Sequence, residues 1–302
     1  MARVGIMIEG QEGLTWDRWR RICQDTDRLG FASLRRSDHF VSLNGRPDLD
    51  CIECWISLAL AAEWTKNIEI GPMVSPMTFR PPALLARMAA AVDIVATGRL
   101  ILGVGAGWNQ HEHREFGIPF YTESQRFDML EAGIKLIRET WSKSNPKPVR
   151  NPIPILLGGK GLKRTLPLVA REASEWNYSK LDADGYRQRR DLLEQLCRDA
   201  GRDPTSIRHS VMTSFLIGRN RKELLERAAQ VSEVIDDLNG MTPEEVLENR
   251  KDAWLVGTPE QIAERMREFA RLGIDLFMLQ HFLLDDGDAL ELVAKELMPA
   301  VA

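Results

Sequence analysis

Along the chain, short apolar or β-branched runs alternate with longer stretches in which apolar residues recur every three or four positions. Val4–Ile8 reads as a strand, and Trp16, Trp19, Ile22, Cys23, Thr26 and Leu29 then mark one face of a helix that Gly30 stops. The pair of patterns repeats. Phe31–Asp38 precedes a mostly apolar helix over Cys54–Trp64, Ile68–Val74 one over Pro82–Ala96, and Leu100–Val104 one over Arg126–Trp141. In the second half, Pro154–Leu157 precedes a helix over Leu162–Arg171, Glu175–Tyr178 one over Tyr186–Ala200, and Ile207–Ile217 is strand-like. Thr242-Pro-Glu-Glu245 and Thr258-Pro-Glu-Gln261 open two more helices, with Thr at the N-cap and Glu or Gln placed to satisfy orphan N–H groups of the first turn. Ile274–Gln280 is the eighth strand, and a closing helix lies near Ala289–Leu297.

Eight strands, each returned to the same direction by a helix, predict a parallel sheet. The runs VGIMI, IEIG, LILGV and IPILL are apolar but for Glu69, as strands buried on both faces should be. Eight units suit a closed α/β barrel, the (β/α)8 TIM barrel, better than an open sheet. No linker rich in Pro, Gly or Ser divides the chain, so residues 1–302 are expected to form a single domain.

Composition narrows the function classes. A formal net charge of −4 and the lack of any long Lys/Arg run argue against a surface that tracks nucleic-acid phosphates. The amino-terminal apolar stretch is too short for a signal peptide, and no apolar run approaches the ~18 residues that span a bilayer. Four cysteines make no disulfide framework, so a cytoplasmic location is expected.

In such barrels chemistry collects where the carboxyl ends of the strands meet the loops. Those positions are polar here: Glu9, Asp38-His39, Ser75, Gly107-Trp108-Asn109, Gly158-Gly159-Lys160, Asn177-Tyr178-Ser179, Ser214 and Gln280-His281. His39 is suited to proton transfer near neutral pH, and Asp38 beside it can fix its tautomer. Gly158-Gly-Lys-Gly161 opens the fifth helix, where open backbone, a helix amino terminus, Lys160 and Arg164 favour an anion; the competing reading is a plain turn with two solvated cations. Gly103-Val-Gly-Ala-Gly107 lacks the spacing of a dinucleotide loop, and its glycines are expected to leave room for a flat ring over the barrel mouth. His111-Glu-His113 lacks partner ligands for a metal site and is expected to be a solvated loop. Cys51-Ile-Glu-Cys54 has redox spacing, but Asp48, Asp50 and Glu53 oppose a thiolate there. Of Arg35 and Arg36 one must point into the barrel, where it needs a partner; Glu9, Asp38 or an anionic ligand are candidates, and a structural ion pair is preferred.

The sequence resembles the luciferase-like monooxygenases and the deazaflavin-dependent oxidoreductases related to them. The matching segments are Ser37-Asp-His-Phe40, Gly71-Pro-Met-Val-Ser-Pro76, Phe79-Arg-Pro-Pro82, Gly98–Asn109, Glu112-His113 with Phe116–Phe120, Gly158–Gly161 and Val256-Gly-Thr-Pro259. They lie in the family's order over nearly the whole chain, and the likeness is greatest to the branch dependent on coenzyme F420. The resemblance implies that Asp38-His39 borders the cofactor ring, His39 serving as acid or base or as support for the ring. It implies a non-proline cis peptide at Met73-Val74 backing that ring, with Ser75, Ala106, Gly107, Trp108 and Trp176 among the cofactor-binding residues. It assigns the cofactor phosphate to Gly158, Gly159, Lys160 and Gly161. Luciferase proper has Arg where this chain has Ala106, which disfavours FMN. The activity implied is hydride transfer between F420 and a small organic substrate, the alternative being an FMN-dependent monooxygenase; a non-catalytic flavin-binding protein and a metal-dependent hydrolase rank lower. Relatives form homodimers, a role suited here to the Trp55–Ala62 and Leu84–Ala91 helices. Two departures stand out: Arg35-Arg36 replaces apolar or aromatic residues, and the segment Trp141–Pro146 is short, implying a wider site mouth.

Overall fold

The computed structural model of the chain describes residues 2–43, 46 and 48–301. In chain order its first half comprises β1 (Arg3–Ile8), α1 (Trp16–Arg28), β2 (Ser33–Arg36), α2 (Cys54–Trp64), β3 (Glu69–Pro72), β4 (Ser75–Pro76), α3 (Pro82–Val95), β5 (Leu102–Gly105), α4 (Gln110–Glu115) and α5 (Glu123–Lys143). The second half comprises β6 (Ile155–Gly158), α6 (Thr165–Glu172), β7 (Glu175–Ser179), α7 (Ala183–Asp199), β8 (Arg208–Ile217), α8 (Arg221–Val234), α9 (Pro243–Arg250), β9 (Leu255–Gly257), α10 (Pro259–Arg271), β10 (Leu276–Gln280), α11 (Gly287–Leu292) and α12 (Met298–Val301).

The strands run parallel in the order β3-β2-β1-β10-β8-β7-β6-β5-β4. Ile70 of β3 bridges to Leu100 just ahead of β5, which brings the two edges together. Because β3 and β4 are halves of one stave, the described residues build the eight-stave barrel that the alternation predicts. The pleat splits the strand side chains into two cores. Met7, Met73, Ile101, Leu156, Leu276 and Met278 fill the inside of the barrel, while Ile6, Ile8, Leu34, Ile70, Leu102, Phe277 and Leu279 face the helices. α1 shows how a helix is seated. Thr15 caps it by accepting from the Arg18 N–H at 3.3 Å, and Trp19, Ile22 and Cys23 bury its inner face. Each fully buried side chain of this kind contributes about 1.5–3 kcal/mol.

Several elements differ from the sequence reading. β2 is shorter than Phe31–Asp38, so Asp38 stands on the loop above the barrel rather than in the strand. The third stave is interrupted at Met73–Val74. α4 and α8 are additional helices, capped by the side chains of Asn109 and Asn220. β9 is an additional strand, pairing with Phe215–Ile217 where β8 runs past the barrel. There Leu216, Val231, Leu238, Val246 and Trp254 form a small apolar core of their own. The short segment after Trp141 does not widen the mouth. It leads from the end of α5 to the start of β6, at the amino ends of the staves, where Arg150 N–H donates to Asp93 (3.0 Å) and its guanidinium to Leu100 O (2.5 Å).

Candidate active site

The loop after β2 carries His39 to the barrel mouth, and α4 carries Glu112 beneath it. Asn109 caps α4 by accepting from the Glu112 N–H at 3.3 Å, which turns the fully buried Glu112 toward His39. His39 Nδ1 lies 2.9 Å from Glu112 Oε2, and the Phe40 N–H donates to the other carboxylate oxygen. Burial opposes a charge on His39. The Glu112 hydrogen bond and charge, joined by Glu9 and Asp38, outweigh it and raise the imidazole pKa above its ordinary value. With Nδ1–H committed to Glu112, Nε2 is the nitrogen left for the mouth.

Glu112, and not Asp38, is therefore the carboxylate that orients His39. Asp38 is occupied by Ser75 Oγ at 2.5 Å and by Arg80 at 2.6 and 3.2 Å, and Arg80 continues to Glu53 at 2.6 Å. Trp55 Nε1 donates to Ser75 Oγ at 3.0 Å, so the Asp38 network ties β2, α2 and β4 together. The His111-Glu-His113 segment is only in part a solvated loop. His111 is exposed beside Glu115, whereas His113 is buried with Nδ1 2.6 Å from Asn109 O and Nε2 2.8 Å from Thr78 Oγ1. An Asn cap followed by Gln110-His-Glu-His113 was the available sign that this stretch folds inward.

Between β3 and β4 the Met73–Val74 peptide is cis, as the resemblance implies. The glycines of β5 serve this bulge. A Cβ on Gly103 would lie 2.2 Å from Pro72 O, and one on Gly105 2.8 Å from Val74 Cγ2, so they give room to the bulge rather than directly to a ring. Gly107 takes φ +79, a left-handed turn that brings Ala106 and Trp108 to the rim. Trp108 is 65% exposed, and its ring meets His39 edge-on at 5.7 Å.

At the ends of β6 and β7, Gly159 takes φ +121 and α6 begins only at Thr165, later than the sequence pattern suggests. Arg164 turns away to Asp128 (2.7 Å) and Glu131 (2.9 Å) on α5. The cations grouped with Lys160 are instead Lys180 and Arg189. Burial and these two like charges push the Lys160 ammonium below its usual pKa, with Asp182 acting the other way. Trp176 does not line the mouth. It is fully buried, stacks on Tyr186 with ring centres 5.6 Å apart, and supports the loop from below through Nε1–H to Gly159 O at 2.9 Å. Cys51 and Cys54 are free thiols. Burial pushes Cys51 up to about 11 and Cys54 well above its ordinary value, opposing thiolate formation at both.

Arg35 points into the barrel and Arg36 outward, and both are fully buried. Arg35 forms two 2.8 Å bonds with Glu175, at the start of β7, and not with Glu9, Asp38 or the mouth. Arg208 and Ser210 meet the same carboxylate at 2.9 and 2.6 Å, and Arg208 also pairs with Glu69 at 2.8 Å. This ion cluster plugs the amino end of the barrel. Arg36 donates to Ser37 O, Ile52 O and Ser57 Oγ at 2.8–3.0 Å, bracing the loop below His39.

The family model for luciferase-like monooxygenases matches residues 1–276. The chain belongs to the luciferase-like monooxygenase family. An uncharacterized Mycobacterium tuberculosis protein is 29% identical over 168 residues, a match spanning 50% of this chain and 58% of that protein. The FMNH(2)-dependent dimethylsulfone monooxygenase of Pseudomonas putida is 25% identical, over 90% of this chain and 84% of its own. Among solved structures, an F420-dependent secondary alcohol dehydrogenase in complex with an F420-acetone adduct shares the fold with a TM-score of 0.82 and 18% identity, each chain covered completely. Within this luciferase-like fold, the mouth brings His39, Trp108 and the Met73–Val74 bulge together, with the Gly158–Gly161 loop at its side.

Proposed function

We propose that this luciferase-like protein is an oxidoreductase that binds coenzyme F420 in the barrel mouth and exchanges a hydride with a small organic substrate. The observation that carries this reading is the arrangement of the mouth: a bulge at Met73–Val74, a histidine with one free nitrogen, and a cluster of three cations beside an open glycine loop. The residues present fit such a group. Lys160 is held among Lys180 and Arg189, a concentration of positive charge that a bound phosphate would relieve. Gly158 is nearly open, a Cβ there meeting only Asn177 O at 4.0 Å, so backbone can approach a ligand closely.

When bound, the deazaflavin supplies a two-electron acceptor or donor of hydride. Met73–Val74 would back its ring, Gly158–Gly161 with Lys160 would hold its phosphate, and Ser75, Ala106 and Gly107 belong to the same rim. His39 Nε2 holds or moves the proton, its orientation set by Glu112. Trp108, exposed at the rim beside His39, would cover the open side of the ring. Ala106, in place of the Arg of luciferase proper, supports F420 over FMN.

Fluorescence titration of the purified protein with F420 and with reduced FMN tests the reading. Saturable binding of F420 at micromolar concentration or below, with weaker binding of reduced FMN, is expected; tight binding of reduced FMN alone would sink it. The second reading, an FMN-dependent monooxygenase, draws support from the Pseudomonas putida relative, whose match extends over most of both chains. Oxygen consumption in the presence of a flavin reductase would favour it.

A further inference from the structure

Glu9, Ser214 and Gln280 are polar strand-end residues to which the cofactor reading gives no role. The staves run β3-β2-β1-β10-β8-β7-β6-β5-β4, so β8 and β10 stand on the far side of the mouth from the Met73–Val74 bulge and, with β1 beside β10, form one wall. Glu9 directly follows β1. Gln280 ends β10 and stands in register with Met7 on one side and Ser214 on the other. Two residues below Glu9, Gln280 and Ser214, on the same inward face, come Met7, Met278 and Met212. Met7 and Met278 belong to the inner core, and Met212 packs against it. The wall thus has a polar rim above thioethers, of which Met7 and Met278 are buried and Met212 is partly exposed; such side chains adapt to apolar bodies of varied shape.

The hydrogen bonds of the rim have a fixed sense. Ser37 Oγ accepts from Gly10 N–H at 2.9 Å and donates to Gln11 Oε1 at 2.5 Å, which turns the Gln11 amide nitrogen to Glu9 Oε2 at 3.0 Å. From the other side Ser214 Oγ donates to Gln280 Oε1 at 3.0 Å, turning Gln280 Nε2 to Glu9 Oε1 at 2.6 Å. Both amides are oriented by hydroxyls, and both point their N–H groups at one carboxylate. A carboxylate offers about four acceptor positions, of which two are filled. The neighbouring acids are fully buried and bonded within the protein, Asp38 to Ser75 and Arg80, and Glu112 to His39 and Phe40. Glu9 is partly exposed at the carboxyl end of β1, so its remaining acceptor positions are open to a ligand.

We propose that Glu9 selects the substrate: clamped by Gln11 and Gln280, it accepts a hydrogen bond from a hydroxyl or ammonium group on a small molecule with an apolar body, and it disfavours anions. The inference rests on the mouth being the reaction site. A fixed acceptor left unpaired penalises a ligand without a donor, and a ligand carboxylate would set two like charges together in a partly buried site.

Benzylamine, benzyl alcohol and benzoate share one apolar body and differ only in the head group, so their affinities read the wall directly. Binding is measured by isothermal titration or saturation-transfer NMR, with and without F420 or FMN, for the wild type and for Glu9→Gln. The amine and the alcohol are expected to bind the wild type at least about tenfold more tightly than benzoate. In Glu9→Gln that gap should close to within about threefold. An amine affinity well above the alcohol's assigns cationic substrates, and similar affinities assign neutral ones. Benzoate binding the wild type as tightly as the others, an unchanged ranking in Glu9→Gln, or no binding of any probe would each overturn the proposal. The wild-type ranking does not depend on how the variant folds, and circular dichroism checks the variant. Failure of both cofactors to bind, with the probe ranking intact, would instead overturn the cofactor reading and leave the role of Glu9 standing.

Discussion

His39 sits under two opposed influences, burial that disfavours its charge and a buried carboxylate 2.9 Å away that favours it. The carboxylate prevails, and the pH dependence of stability follows from the sign. A histidine pKa raised by folding gives stability that is complete below the unfolded value of about 6.5 and is lost as pH rises through the folded value. Wild type should therefore exceed Glu112→Gln in stability by about 1–3 kcal/mol near pH 6, with the difference shrinking toward pH 9. Urea unfolding across that range measures it, and imidazole NMR should show His39 titrating at lower pH in the variant. A stability difference independent of pH would mean that Glu112 acts through the Phe40 N–H alone. His39 was legible in the sequence as a polar residue at a strand end, whereas the Met73–Val74 bulge was legible only through the family resemblance, the residues themselves showing no more than an apolar strand end. Glu112 was not, because the short helix that aims it is fixed by an Asn109 cap and by packing around His113, neither of which a periodicity reveals. Trp176 showed the opposite failure: an aromatic residue on a strand near the site faces the helices instead.

At the scale of elements, the Arg35 cluster joins β2, β3, β7 and β8 at the amino end of the barrel. Glu175 is buried, which alone would raise its pKa, but Arg35, Arg208 and Ser210 bring it down to about 2. A carboxylate pKa depressed by folding gives stability that is present above the unfolded value of about 4.5 and disappears as pH falls toward 2. Glu175→Gln should cost about 3–5 kcal/mol at pH 7, since among the described residues it leaves buried Arg35 with only Glu69 at 3.8 Å as a charged partner. The cost should fall as pH drops below about 4.5, where the unfolded wild type takes up a proton that the folded protein resists until about pH 2. Acid unfolding followed by circular dichroism checks this, and equal acid midpoints for the two proteins would refute it. The need for a partner was legible from two adjacent arginines on one strand. Its identity was not, because Arg35 and Glu175 lie 140 residues apart and meet only once the barrel has set their register. α8 and β9 escaped notice for a related reason: α8 packs chiefly on α9 and on β8, and β9 on the overhang of β8 and on α10, outside the repeating strand–helix pattern.

For the whole molecule, alternation of pattern was enough to give the barrel, because eight apolar runs separated by helices leave few other ways to bury both faces of every strand. The same reasoning extends to the outside of α2. That helix carries a single charge, Glu63, and is apolar on nearly every side, a composition suited to burial on two faces rather than one. Its inner face meets the barrel, while Ile56 stands 58% exposed on the other side. α3 packs beside α2 and exposes Leu84 by 52%, and α5 packs beside α3 and exposes Leu136. We therefore expect these helices to meet a second copy of the chain about a two-fold axis, across an interface of the usual 1,200–2,000 Å². Analytical ultracentrifugation should give twice 34.3 kDa for the wild type. Ile56→Glu combined with Leu84→Glu puts two charges per subunit into that surface and should give a folded species of 34.3 kDa. Because neither side chain touches the barrel mouth, cofactor affinity measured on the monomeric variant separates loss of association from loss of the site. A wild type that sediments as a monomer at high micromolar concentration would show that α2 keeps its apolar outer face for some other contact.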